Sequence, residues 1–218
     1  MLNEAAAIAS TLDALRRGAP DAEIVVVDGG SIDASVEQAR PLCDALIVAS
    51  RGRARQMNAG ALASHGDAIA FVHADTLVPP TFAADIASAL SDSAVVGGRF
   101  DVKLDDTALP YRIIGAMISF RSRLSRTGTG DQAIFVRRAV FDGLGGFPEL
   151  ELCEDLEFSR RMKRAGRVAC LRARVTTSAR RWNRDGVVRT VVRMWLIRAM
   201  YLLGVPPARL KRMYSDTR

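Results

Sequence analysis

The sequence predicts an α/β fold built on a largely parallel sheet. Three observations carry that expectation. Short apolar runs alternate with amphipathic segments along the first 90 residues, the rhythm of strand and crossover helix. The run "EIVVV" lacks the polar alternation of a one-sided strand, as strands buried on both faces do. Two apolar runs also end in acid-bearing loops, "VVVDGGSID" and "FVHADT", and in open parallel sheets ligands gather at the carboxyl ends of strands.

Taken in order, Asn3 is placed to cap a helix in which Ile8, Leu12 and Leu15 fall at helical spacing, before Gly18 and Pro20 end it. Strands over 23–27 and 45–48 follow, then a helix over 53–64 with few β-branched residues and a strand over 68–72. Pro79 and Pro80 lead a helix that runs to Leu90. Beyond Leu90 the rhythm changes. A long strand over 94–103 precedes a helix over 111–124 rich in Ile and Met, the glycine-rich loop "TGTGD" and a short strand over 133–136. A helix over 154–165 carries charge on most faces, 168–171 is a short strand, and the last helix spans 187–203 with Arg189, Arg193 and Arg198 interrupting its apolar positions. No repeat or linker divides the chain, so one domain over 1–218 is expected, with a basic amphipathic helical region over about 186–218.

Hydrophobic residues make up 49% of 218, enough for a proper core, which excludes a disordered chain. Cys43, Cys153 and Cys170 are odd in number, far apart and form no CxxC pair, so neither a disulfide framework nor a zinc knuckle is indicated and a reducing, cytoplasmic compartment is expected. No signal peptide pattern or spanning apolar run is found. The net charge of +7 is unevenly spread: from Arg180 to Arg218 ten Lys or Arg face two acids, Asp185 and Asp216, and the remainder is neutral to within one charge. A basic tail serves phosphate-bearing substrates, anionic lipid or nucleic acid alike. No nucleic-acid motif with interleaved aromatics occurs, so nucleic acid is not an expected partner.

Several constellations have both a chemical and a bland reading. His73 and Asp75, two positions apart in an extended stretch, suit a divalent ion such as Mn²⁺ or Mg²⁺, or else a satisfied histidine beside a helix cap. Asp28, followed by two glycines, can accept hydrogen bonds from a nucleobase or ribose, or close a turn. Arg51, Arg53 and Arg55, with Asn58 and Gly60, offer guanidinium forks for a diphosphate or form a solvated face. Glu149, Glu151, Glu154, Asp155 and Glu157 cluster where acids favour a helix N-terminus. Glu154 and Asp155, being adjacent, point in different directions, so one can be structural while the other faces a cleft. Arg180, Arg181, Trp182 and Arg184 form either a cationic and aromatic surface or a buried tryptophan flanked by solvated arginines.

The succession "NEA", "IVVVDGGSID", "RQMNAG", "FVHADT", "GGF", "CEDLEFSRRMKRAG" and "RRW" resembles glycosyltransferase family 2, the inverting nucleotide-sugar enzymes, from Asn3 to Trp182. It is most similar to the small glycosyltransferase-like members that carry DGGS and HAD. The resemblance implies the GT-A fold, a Rossmann-like, mostly parallel sheet flanked by helices. It also implies an apolar strand ahead of Asn3-Glu4, so a sheet without its first strand is expected. Glu4 and Asp28 would hold the nucleoside, supported by Arg55 and Asn58. Asp75 would be the second acid of the DxD metal motif, with His73 at the first position. Asp155, beside Glu154, would be the general base, Arg181 and Trp182 would border acceptor and diphosphate, and Gly130, Asp131 and Gln132 would fall near the acceptor.

The implied activity is metal-assisted transfer of a sugar from a nucleoside-diphosphate sugar to an acceptor hydroxyl, with inversion and with Mn²⁺ or Mg²⁺ as cofactor. The acceptor stays open, a lipid-linked one included, because the last helix suits the anionic inner face of a membrane as well as it suits packing on the domain. A nucleotidyltransferase or a non-catalytic nucleotide-binding protein of similar fold is the alternative. The former usually needs a glycine-rich phosphate loop near its start, and "NEAAAIAS" has none.

Overall fold

The computed structural model describes residues 1–214. Along the chain lie α1 (Ile8–Gly18), β1 (Val25–Asp28), α2 (Ser35–Ala39), β2 (Ala45–Val48), α3 (Arg53–Ala63), β3 (Ala68–Phe71), β4 (Thr76–Leu77), α4 (Phe82–Leu90) and β5 (Val95–Leu104). There follow α5 (Leu109–Ser125), β6 (Ile134–Arg137), α6 (Arg138–Gly143), α7 (Glu154–Ala165), β7 (Arg167–Thr177), α8 (Arg180–Asp185), α9 (Val187–Leu202) and α10 (Pro207–Lys211). Both α9 and α10 fall within the basic helical region expected over about 186–218, whose last four residues lie outside the described ones.

The strands form two sheets. β1 and β2 pair in parallel, from Val25 opposite Ala45 to Asp28 opposite Val48. The larger sheet has the order β3-β6-β5-β7-β4. Only β5 and β7 are parallel there; β6 runs antiparallel to β3 and β5, and β4 to β7, so this sheet is mixed rather than mostly parallel. Apolar patterning reports burial and is silent on strand direction, which is why the sequence did not show it.

No ladder joins β1 to β3 among the described residues. Between them lies an apolar cavity of about 920 Å³, lined by Val25, Val27, Met57, Ile69 and Ala70 among others. Met1 is fastened beside β1, its carbonyl accepting from Gly29 N at 2.9 Å and from Gln56 Nε2 at 2.8 Å.

One face of the larger sheet packs on Phe141, Phe147, Phe158 and Met162, with Phe147 and Phe158 stacked at 4.2 Å. The other face packs Phe100, Val102, Phe135 and Val175 against Phe82 of α4. A buried phenylalanine is worth about 2 kcal/mol of transfer free energy, so these clusters fix the strand ends that carry the site. Gly97 and Gly98 make the close packing sterically feasible: a Cβ at Gly97 would stand 2.5 Å from Phe135 O, and one at Gly98 2.5 Å from Ala169 O. Buried Arg99 pairs with Asp101, which also binds Arg123 and so ties α5 to β5.

Two local expectations change. Asn3 does not cap α1: it sits in the left-handed region at φ 52°, which asparagine tolerates, and its Oδ1 accepts from Ile32 N at 3.0 Å. The strand expected over 168–171 continues to Thr177, because Arg172 and Arg174 mask its second half with solvent-facing charge.

Candidate active site

Where β3 gives way to β4, and α7 and α8 begin, a cavity of about 490 Å³ opens; His73, Asp75, Gly130, Asp155 and Arg180 line it. Cys153, at φ 67°, turns the chain into α7, so Glu154 and Asp155 occupy the first turn of that helix. Glu154 is almost fully buried and meets Arg53 Nε at 3.3 Å. Burial pushes its carboxyl above the usual range, with Arg53 opposing and the charge of Asp155 adding to the rise. For Arg53, burial works against the charge but is outweighed by Glu154 and Asp155, so its pKa is raised. The Cys153 thiol is pushed up to about 12, by burial first and then by the two acids, which removes it as a nucleophile near neutrality.

Asp155 borders the cavity. Its Oδ2 accepts from Gly130 N at 2.7 Å and its Oδ1 from its neighbour Leu156 N at 2.6 Å. Glycine at position 130 lets His73 and Arg53 close over the turn, because a Cβ there would lie 2.4 Å from His73 Nε2 and 2.7 Å from Arg53 Nη2 and would displace those side-chain ends. Asp131 lines the cavity and accepts from Thr129 Oγ1. Gln132 is fully buried and holds the turn, donating to Phe100 O at 3.2 Å and accepting from Thr129 N at 3.2 Å.

Opposite Asp155, one nitrogen of Arg180 donates to buried Glu4 Oε2 at 2.7 Å and to Asp75 Oδ2 at 2.9 Å. His73 Nε2 lies 2.6 Å from Arg53 Nη2. His73 and Asp75 therefore share the cavity while facing different arginines. Among the described residues no group of three or more His, Cys, Asp or Glu converges. The protein donors for a divalent ion are thus few, Asp75 with His73 or Glu4. Such a set suits a hard ion that completes its shell with substrate phosphate and water. Two carboxylates already converging on one cation fit that chemistry.

The other expected residues are placed differently. Asp28 is buried and closes its own turn, accepting from Gly30 N and Ser31 N at 2.9 Å each and from Ser31 Oγ at 2.6 Å. Burial opposes ionisation there, but these bonds prevail and hold the carboxyl below its usual value. Asn58 clamps Phe147 through both backbone groups at 2.8 Å, and Arg55 makes an exposed pair with Glu149 at 3.0 Å. Asp28, Arg55 and Asn58 are absent from the lining of the site cavity. Arg181 stacks on the Tyr214 ring, 4.6 Å from its centroid, and buried Trp182 packs with Leu104 and Ile114 while touching the cavity.

Of the four arginines in this cavity considered next, Arg121 was not named from the sequence, and Arg53, Arg180 and Arg198 were named only as members of basic runs. Arg53 and Arg55 lie roughly 200° apart on α3, so only one can face the site. Arg180 rather than its neighbour Arg181 binds Glu4 and Asp75. Arg121 continues the i, i+4, i+7 series of Ile114 and Ile118, and Arg198 the i, i+3, i+7 series of Val191 and Met194, a periodic signal that both turn inward.

Among solved structures the chain is similar to the mannosyltransferase PcManGT from Pyrobaculum calidifontis in complex with GDP-Man and Mn²⁺, with a TM-score of 0.68 at 20% identity over 98% of this chain and 65% of that one. It is also similar to S. aureus TarS 1-349 in complex with UDP-GlcNAc, with a TM-score of 0.60 at 21% identity over 82% of this chain and 56% of that one. The chain thus spans less than two thirds of either structure's length. At such identities the likeness concerns the fold, a mixed α/β arrangement of the GT-A type. No curated protein sequence matches it. The family model described as Glycosyl transferase family 2 matches residues 1–143, and the chain belongs to that family.

Proposed function

We propose that the protein transfers a sugar from a nucleoside-diphosphate sugar to an acceptor hydroxyl, with inversion and with Asp155 as general base. The observation that carries this reading is that Asp155, Asp75, His73 and Arg180 line one cavity, with Asp155 held in place by Gly130 N. Asp155 takes the proton of the acceptor hydroxyl as its oxygen attacks the anomeric carbon opposite the leaving diphosphate. Arg180 and Arg53 direct positive charge at that diphosphate. Mn²⁺ or Mg²⁺ bound at Asp75 with His73 would supply further neutralisation of the leaving group. Glu4 serves the nucleoside half through its pair with Arg180, Asp28 indirectly through the turn it closes, Asn58 through the loop it clamps and Arg55 from the surface. Glu154 keeps Arg53 charged, Arg181 and Trp182 border the acceptor and diphosphate, and Gly130, Asp131 and Gln132 form the turn under the acceptor. The GDP-Man and UDP-GlcNAc of the two similar structures make guanosine and uridine diphosphate sugars the donors to try first.

The test is a melting-point screen of nucleoside diphosphates and their sugars with and without Mn²⁺, followed by turnover of the sugar that binds, since a native-state ligand raises the melting point. A nucleotide sugar that stabilises the protein and turns over only in wild type, and not in Asp155→Asn, supports the reading. Full turnover in Asp155→Asn, or stabilisation by no nucleotide, contradicts it.

The same proposal includes a cytoplasmic location at the inner membrane face. Ile113, Met117, Phe120 and Leu124 of α5 are exposed at i, i+4, i+7 and i+11, and Val188, Val192, Trp195 and Leu202 repeat such spacing on α9. Neither helix contains an acid, and exposed Arg112, Arg126 and Arg189 lie on or beside them. A second copy docked on this face would oppose arginine to arginine, whereas an anionic bilayer complements both the apolar stripes and the charge. No helix among the described residues is long and apolar enough to cross a membrane. Co-sedimentation with anionic vesicles at low salt, lost in the double variant Phe120→Asp and Trp195→Asp, supports the contact; absence of binding by wild type removes it.

A further inference from the structure

The helices α5 and α9 pack on one apolar cluster around Trp182, α5 through Tyr111 and Ile118 and α9 through Val187, Val191 and Met194. Into the site cavity each sends one arginine, Arg121 from α5 and Arg198 from α9. Nε and Nη2 of Arg121 are buried without a hydrogen-bond partner. Arg198 donates to the Thr127 hydroxyl at 3.0 Å. Neither arginine forms an ion pair with an acid among the described residues, although the chain's other buried charges in this cavity are paired. Burial, and then the like charge of Arg121, lower Arg198 to about 10, so the two guanidinium groups act on each other. A guanidinium fork shut away from water without an acceptor is costly, and an anion that enters relieves the cost for both groups.

From this arrangement we infer that Arg121 and Arg198 form a subsite for a phosphate group carried by the acceptor. The inference rests on the glycosyltransferase reading and names its acceptor class. Phosphate is the anion whose oxygens match two guanidinium forks at once. The subsite belongs to the acceptor rather than the nucleotide because the charge of Asp155 acts on Arg198, whereas Glu4 and Asp75 are engaged by Arg180 across the cavity. Arg181 and Lys211 line the same side and add positive charge, and Ile118, Leu152, Met194 and Ile197 give it an apolar lining. An acceptor with a phosphate beside an apolar portion fits it. The phosphate anchors the molecule while a hydroxyl reaches Asp155, and no bond to phosphorus changes.

The experiment compares the full chain with Arg121→Gln, Arg198→Gln and Arg198→Lys, using three probes: inorganic phosphate, glycerol 3-phosphate, and phosphatidylcholine vesicles with or without phosphatidic acid. GDP and UDP serve as the nucleotide reference, and melting temperature confirms that each variant is folded. Losing a charge-assisted contact is expected to weaken phosphate-probe binding roughly tenfold or more in both Gln variants, with Arg198→Lys, which keeps the charge and loses the fork, between Arg198→Gln and wild type, and nucleotide affinity changed less than roughly twofold. A response confined to phosphatidic acid vesicles assigns the phosphate to a lipid headgroup, and a response to the soluble probes as well shows that a free phosphate compound suffices; either supports the subsite. Phosphate binding that ignores both arginines, or a loss that appears in GDP and UDP binding instead, overturns it. If phosphate binding follows the arginines while no nucleotide binds at all, the glycosyltransferase reading fails and the anion site stands.

Discussion

The two walls of the site cavity treat charge in opposite ways. On the strand-end wall each charged side chain answers another: Arg180 spans Glu4 and Asp75, and Arg53 meets Glu154 and His73. On the helix wall, Arg121 and Arg198 act on each other as like charges, and neither forms an ion pair with an acid among the described residues. A paired wall is pre-organised by the protein itself and loses stability when one partner is removed. An unpaired wall is held in place by its helices at a cost, and it is completed from outside. The difference separates charges that maintain the site from charges that await a ligand.

Removing Arg53 should break the contrast most severely. Arg53→Met leaves Glu154 buried without its cation and should cost about 3 kcal/mol at neutral pH. The sign with pH follows from the raised carboxyl: the folded state holds a proton that the unfolded state releases above the ordinary 4.5, so folded stability falls as pH rises through that window. The deficit of the variant, measured by urea unfolding, should therefore be larger at pH 8 than near 4.5. Next, Gly130→Ala pushes the side-chain ends of His73 and Arg53 aside and should cost about 1 kcal/mol in the same measurement, the low end for overpacking because those ends can move.

Smaller effects sharpen the comparison. Asp28→Asn exchanges charge-assisted bonds for neutral ones and should cost about 1 kcal/mol at neutral pH. Because the folded carboxyl lies below the ordinary 3.8, its contribution is present above that value and is lost as pH falls through the folded pKa, so wild type and variant should converge in acid melts. On the unpaired wall the sign reverses: Arg121→Gln removes like-charge repulsion and should leave the ligand-free protein unchanged or more stable by about 0.5 kcal/mol, the small size reflecting solvent screening. A clear loss there would mean that the helix wall is as self-sufficient as the other.

The alternation of apolar runs made most helices and strands of the first 90 residues legible, since burial is what such runs record, whereas α2 and β4 are too short to carry a period and were not expected. Direction was not legible, and β6 enters antiparallel to both of its neighbours without any mark in "AIFV". Within the site, the collinear motifs pointed to His73, Asp75, Asp155, Arg181 and Trp182, which come together around one cavity from distant segments. Asp28 and Asn58 share the same vocabulary of polar residues beside glycines, yet their hydrogen bonds are satisfied by the nearby backbone. Nothing in a one-dimensional string separates a carboxylate that accepts from its own turn from one that faces a cleft. Adjacent or alternate arginines raise the same difficulty: Arg53 against Arg55, and Arg180 against Arg181, are separated by helix phase and by which acid lies within reach.

The measurement that tests the account most directly is turnover of a bound nucleoside-diphosphate sugar by wild type and Asp155→Asn, with donor affinity determined in parallel. The account predicts a fall in turnover of roughly a hundredfold to ten-thousandfold with donor affinity preserved, as expected for a positioned base that acts only in the transition state. Equal turnover by the two proteins would contradict it.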